Sequence, residues 1–377
     1  MPHTLHREAF QQTLHGQRTD LYTLRGEGGM QVAVSNYGAR LVQIAVPDGQ
    51  GGLVDVALGY DSLQGYLDGQ LSMGALIGRW AGRVRSGQLA LPGGTLTLQL
   101  PTNSGPHHHH GGPRGSRFQV FAVDEVQADA LVLSHVFRTE DDGVPGTVRL
   151  TVRIAVTPDN ALQMAWTAEA GGDAPTIANI TGHAFFNLAG HGSTHRHQLQ
   201  VPASHYVPLA LDLCPLGQVE EVQGTVFDFR ELRTVGEAIA QPANPSSDRL
   251  ALAGGLDHYL VLDSGVSARA PFALPAGTPG LRLAARLREP VSGRSMQVWS
   301  TAPGVQVYAG HGLKADPARD RGRGGNAEGT DGWLWQPGDG ICLEPMEYPD
   351  APNHPAFPKR WLAPGELEHG AIVYRFM

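Results

Sequence analysis

Charge is scarce in this sequence: Asp, Glu, Lys and Arg make up only 17% of its 377 residues, and the formal net charge is −8. No basic stripe is available to meet a phosphate backbone or an anionic lipid surface, so neither nucleic acid nor membrane is an expected partner. Cysteine is nearly absent. Cys214 and Cys342 lie far apart and form neither a zinc spacing nor a disulfide framework. Two buried free thiols in a reducing compartment are the expectation. Long apolar runs are also missing, and none approaches the ~20 residues that span a bilayer. The opening MPHTLHREAFQQTLHGQ has no apolar segment of the secretory kind. A cytoplasmic protein is expected.

Turn formers are abundant, with 49 Gly and 27 Pro beside an ordinary 41% of hydrophobic residues. That balance favours many short strands over long helices. Val148, Leu150, Val152, Ile154 and Val156 alternate with Arg149, Thr151, Arg153 and Ala155, the pattern of a strand with one face in a core. Leu281, Leu283, Ala285 and Leu287 alternate in the same way with Arg282, Ala284, Arg286 and Arg288. Further strands are predicted at Leu131–Phe137, Leu162–Ala168, Tyr259–Leu262, Met296–Ser300, Val305–Tyr308 and Ile341–Glu344. Turn signals such as Asp142-Gly143, Pro158–Asn160 and Pro337–Gly340 separate the strands. Helical patterns are short, near Ser62–Leu67 and Leu232–Ala240.

The expected fold is all-β, an antiparallel sandwich or barrel. Chains of this length often hold two or three domains, but large sandwiches run long as one unit. The Gly- and Pro-rich stretches Ser264–Thr278 and Lys314–Gly332 read as loop insertions rather than boundaries. One domain over residues 1–377 is expected, with residues 1–25 as a peripheral extension.

Three segments could carry chemistry. The run His107–His110 reads as an exposed polar loop with at most one functional histidine, because adjacent histidines cannot all face one ion. A metal-dependent hydrolase built on it is a weak alternative. His183, within Asn179–Leu188, is either a satisfied structural histidine or a proton donor suited to neutral pH. Glu344 ends the apolar run Ile341-Cys342-Leu343. A buried carboxylate needs a partner or a task, so structure and catalysis are equally open there.

Together these segments resemble the aldose 1-epimerase (galactose mutarotase) family. Ile77–Arg83 is similar to its Gly-Arg-(aromatic)-Ala-Asn-Arg segment. Asn103–Gly112 resembles its Asn…Leu-His-Gly-Gly segment, with His110 in the histidine place. Asn179–Leu188 resembles Asn-His-Ser-Tyr-Phe-Asn-Leu, with His183 in the histidine place. Phe227–Arg230, Gly255–His258, Thr301–Tyr308 and Leu343-Glu344 with Pro349–Asn353 follow in the family's order.

The resemblance implies a large antiparallel β-sandwich of the galactose mutarotase type. It implies interconversion of the α and β anomers of free aldohexoses by ring opening and reclosure. Glu344 would be general base and His183 general acid. Arg83, His110, Phe185, Asp257 and Gln306 would line the sugar site. A small aldose would be the partner, with no cofactor or metal, and the chain would be a monomer or homodimer. Gly82 and Gly182 stand where the family has asparagines, Phe185 where it has tyrosine and Met346 where glutamine is common, so substrate preference is the property these departures touch. Two alternatives use the same fold: a mutarotase for phosphorylated hexoses, for which Arg321 and Arg323 are candidate supplements to Arg83, and a non-catalytic sugar sensor. The second has no need of an acid–base pair.

Overall fold

The period-2 runs pair antiparallel into three main sheets. The computed structural model describes every residue except 1, 70–71, 93–95, 241–245, 265–273, 275, 315, 317–320 and 324–332. A nine-stranded sheet runs in the order Ala122–Val126, Ala130–Phe137, Thr147–Val156, Ala161–Gly171, Leu367–Phe376, Ser295–Ser300, Arg282–Arg288, Gln198–Gln200, Arg233–Thr234. A six-stranded sheet runs Phe185–Phe186, Ile341–Met346, Gly304–Tyr308, Asp257–Val261, His205–Val207, Glu220–Glu221. A four-stranded sheet takes Leu21–Arg25, Gln31–Ser35, Arg40–Pro47 and Leu53–Asp55 in chain order.

One apolar cluster joins all three sheets. It takes Leu150, Val152 and Ile154 from the first, Val305, Val307, Ile341 and Leu343 from the second, and Val32, Val34 and Ile44 from the third. Each such side chain contributes about 1.5–3 kcal/mol by leaving water. The result is an all-β sandwich of antiparallel sheets. Its α-helices among the described residues are short, the longest being Ser247–Ala253 with seven residues. None is long and apolar enough to cross a membrane.

Alternation held along Thr147–Val156 but failed once along Arg282–Arg288. A bulge between Leu283 and Ala285 opposes Trp299 and Val298 and inserts one extra residue. Leu281 and Leu283 therefore pack with Trp299 and Val373 on the outer face, while Ala285 and Leu287 enter the central core. A single added residue flips every side chain beyond it to the other face.

Other expectations shift less. The helix expected at Leu232–Ala240 shortens to Val235–Ile239, because Arg233–Thr234 is taken up as an edge strand. The helix near Ser62 spans Leu63–Asp68, and the Ser62 hydroxyl accepts from Gly65 N at 3.3 Å. Phe10 is fully buried, and Leu21–Arg25 opens the four-stranded sheet. Both cysteines are buried and free. The loops expected at Ser264–Thr278 and Lys314–Gly332 lie largely outside the described residues.

Candidate active site

Strand parity and register build one wall of a cavity. Along Ile341–Met346, Ile341 and Leu343 enter the core, so Glu344 and Met346 turn the other way, into the cavity. Val305 and Val307 likewise turn inward and leave Gln306 and Tyr308 outside; Leu260 does the same for Asp257 and Tyr259. Register then aligns them in rows. Glu344 lies opposite Gln306, and Gln306 opposite Tyr259. In the next row Phe185 lies opposite Cys342, Cys342 opposite Tyr308, and Tyr308 opposite Asp257. The Gln306 amide donates to Asp257 Oδ1 at 2.6 Å. Gly304 is required by close approach: a Cβ there would sit 2.2 Å from the Tyr259 ring. That ring stays in place by donating its hydroxyl to the Met346 carbonyl at 2.9 Å.

The opposite wall comes from loops clamped by backbone pairing. Thr181 pairs with Ile77, His183 N donates to the Ala75 carbonyl at 2.9 Å, and Gly74 N donates to the His183 carbonyl at 2.9 Å. Arg83 pairs with His109. His110 N donates to the Gly82 carbonyl, and Gly82 N donates to His110 Nδ1 at 3.2 Å. In a neutral ring that leaves the His110 proton on Nε2, a donor for a ligand oxygen. Gly82 has φ +80°, a left-handed conformation that asparagine also tolerates. At Gly182 a Cβ would meet the Tyr374 hydroxyl at 3.0 Å, so a tyrosine oxygen crowds the space a larger residue would need.

All seven residues expected at the sugar site line this one cavity of about 370 Å3: Arg83, His110, His183, Phe185, Asp257, Gln306 and Glu344. His183 Nε2 stands 3.7 Å from Glu344 Oε1. The His183 ring is 5.3 Å from that of His110, edge to face, and 5.3 Å from that of Phe185. Glu344 Oε2 is buried with no hydrogen-bond partner among the described residues, an acceptor left unsatisfied.

Burial drives the central pair away from charge. It pushes the Glu344 carboxyl well above the usual carboxylate range; Asp257 adds to this and Arg83 opposes it. It pushes the His183 imidazolium down to about 4, with the Arg117 guanidinium contributing. Both shifts favour the uncharged forms, a protonated carboxyl beside a neutral imidazole.

The histidine run departs from the exposed loop expected of it. His107, His108 and His110 are buried. His107 Nδ1 accepts from Ser86 N at 3.0 Å and His108 Nδ1 lies 2.8 Å from the Pro101 carbonyl. His109 and His110 stack at 3.8 Å, and both line the cavity. The backbone reversal at His110 (φ 52°) separates the roles of neighbours in the run.

Two trios offer ligand atoms close enough for a metal: His110, His183 and Glu344, and His107, Asp212 and Cys214. The first needs an Nε2 lone pair that the Gly82 bond to His110 Nδ1 leaves protonated. In the second, Arg85 already occupies both oxygens of Asp212. Neither fits a cation well.

Sequence reasoning missed Ser72, His109, Arg117, Tyr259, Tyr308 and His311, which also line the cavity. Tyr308 shares parity with Gln306, and Tyr259 with Asp257, so strand alternation was a usable signal for both. Arg117 had none.

An antiparallel β-sandwich with a buried imidazole–carboxylate pair lining one cavity is the arrangement to set beside known proteins. The aldose 1-epimerase family profile matches residues 20–375. The chain is 32% identical to the galactose mutarotase of Bos taurus over 349 residues, covering 92% of this chain and 91% of that protein. It is 32% identical to the aldose 1-epimerase of Escherichia coli strain K12 over 370 residues, covering 96% of each. A galactose 1-epimerase structure from Lactobacillus acidophilus superposes with a TM-score of 0.77 at 26% identity, covering 97% of this chain and 96% of that one. An aldose epimerase homologue from C. elegans superposes at 0.79 with 24% identity, covering 95% of this chain and 99% of that one, and shares the fold. The chain belongs to the aldose 1-epimerase family.

Proposed function

We propose that the protein interconverts the α and β anomers of free aldohexoses of the glucose and galactose type, with Glu344 as general base and His183 as general acid. The supporting observation is the carboxylate–imidazole pair 3.7 Å apart, both members lining one cavity, with one carboxylate oxygen unpartnered among the described residues.

Opening the ring removes the C1 hydroxyl proton and delivers another to the ring oxygen. Glu344 takes the first and His183 gives the second. After opening, the carboxyl is protonated and the imidazole neutral, the same charge state that burial favours. The site thus stabilises the open form of the sugar relative to a solvated pair. Sugar hydroxyls donating to Oε2 restore the carboxylate in the closed complex. Rotation of the aldehyde about C1–C2 presents its other face, and the pair returns both protons. His110 Nε2–H, Arg83 and the Gln306–Asp257 pair hold hydroxyls meanwhile, so the open chain stays bound. Phe185 offers an apolar edge to sugar C–H groups. Each acid–base group supplies about 10²–10⁴-fold. Neither metal nor redox group enters any of these steps.

The phosphorylated-hexose reading draws no support from Arg323, which is buried on Asp55 and Asp61. Neither it nor Arg321 lines the cavity. The test is a polarimetric time course on freshly dissolved α-D-galactose and α-D-glucose. The expected result is acceleration over buffer. Binding without acceleration would favour the sensor and contradict the proposal.

A further inference from the structure

Arg117 stands in the cavity wall without an anionic partner. Its Nη1 donates to the Ser72 hydroxyl at 2.7 Å, its guanidinium lies 4.5 Å from the Phe118 ring centre, and its buried Nε has no partner among the described residues. No carboxylate among the described residues pairs with it. Arg40, whose charge acts on Arg117, is equally without one among the described residues: it donates to the carbonyls of Met73 and Arg117 and packs against the Tyr37 and Tyr66 rings. Two guanidinium groups without carboxylates leave this end of the cavity electropositive. Burying a charge is costly unless something pairs with it, and here a cavity opens beside one of them.

Backbone pairing fixes where that end lies. Ser116 N donates to the Gly78 carbonyl and Ser116 Oγ to the Leu76 carbonyl. Leu76 and Ile77 pair on their other side with Gly182 and Thr181. Arg117 and His183 are thus carried by neighbouring strips on either side of one shared strand. The anionic wall, Glu344 and Asp257, belongs to the six-stranded sheet opposite.

Resting on the proposed role of His183 as acid to the ring oxygen, this placement reads out a sugar position. The ring oxygen is bonded to C5, and C5 carries C6. The Arg117 charge acts on His183, whereas the cation acting on Glu344 is Arg83; a cation on the His183 side of the pair faces the C6 substituent. We propose that Arg117, supported by Ser72, forms a subsite for a carboxylate at C6, and that hexuronates are substrates of this enzyme beside neutral hexoses. A carboxylate fits better than a phosphate ester, because one guanidinium balances its single charge and, among the described residues, Arg83 is the other Lys or Arg side chain lining the cavity. The reaction is unchanged, since C6 takes no part in opening at C1.

The experiment compares kcat/KM for mutarotation of D-galacturonate, D-galactose and D-glucose 6-phosphate in the wild type, R117M and R117K, each rate corrected for buffer. The proposal expects R117M to lose about 10- to 100-fold on galacturonate, the worth of a charge-assisted hydrogen bond, chiefly through KM. The galactose rate should change by far less, and R117K should recover part of the loss. An equal fall on both sugars would mean that Arg117 acts through His183 on every substrate and would overturn the subsite. So would a wild type that turns over galactose but not galacturonate, or one that prefers the phosphate ester. If R117M does not fold, the R117K ratio and the wild-type preference decide. Failure on all three sugars would instead strike the acid–base reading itself.

Discussion

In the proposed mechanism Glu344 and His183 act through a shared proton, and that sharing predicts a pH profile. Burial holds the imidazole neutral until about pH 4 and holds the carboxyl protonated well above its usual range. The competent pair carries one proton. It gains a second only as pH falls through about 4, and loses its single proton only as pH rises past the raised carboxyl value. We expect kcat/KM, followed by polarimetry, to stay level through weakly acidic pH and to fall near 4. An acid limb near 6.5, the ordinary imidazole value, would mean that His183 of the free enzyme is not held neutral. Little of this was legible from residues alone. Glu344 stood out because a carboxylate ends an apolar strand, but His183 and His110 were separable from structural histidines only by family resemblance. Arg117 was invisible, since nothing local distinguishes it from a surface arginine; only the strip pairing of residues 76–78 with 116 and 181–182 brings it to the cavity.

Strands turn sequence spacing into a site. Strands at Val305–Tyr308 and Ile341–Glu344 were expected from the sequence, and the pleat of a strand sends Gln306 and Glu344 to one face. What alternation could not give was register, because pairing partners lie far apart in the chain. Gly304 shows a second element-scale demand, clearance beneath the Tyr259 ring. Gly304→Ala should displace that ring, destabilise the protein by about 1–3 kcal/mol as an overpacking change, and raise KM for the sugar. Thermal unfolding and steady-state kinetics check both; an unchanged KM would remove Tyr259 from the cavity wall. Gly370 lies in the strand Leu367–Phe376, where a Cβ would come 2.3 Å from the Trp166 indole. Gly370→Ala should cost a similar amount of stability while leaving KM unchanged, since neither residue lines the cavity. The bulge at Leu283/Ala285 was beyond a pattern-based reading, because the sequence alternates straight through it and only the outer pairing of Leu283 with Trp299 reveals the slip.

At the scale of the whole molecule, one apolar cluster runs from Leu24 to Phe376 through all three main sheets. The strand Leu367–Phe376 is paired on both sides, between Ala161–Gly171 and Ser295–Ser300, so the last part of the chain completes the middle of the largest sheet. We therefore propose one folding unit and expect far-ultraviolet and near-ultraviolet circular dichroism to report one coincident urea transition. Two separated transitions would divide the chain. The same architecture brings His183 and Glu344, distant in sequence, to 3.7 Å across the two walls of one cavity. Glu344→Gln tests that meeting most directly, because the amide keeps the side chain's shape and cannot take the C1 hydroxyl proton. With a wild-type circular dichroism spectrum and retained sugar binding, the variant should lose at least about 10²-fold in the polarimetric rate on α-D-galactose. A folded Glu344→Gln protein turning over near the wild-type rate would contradict the account.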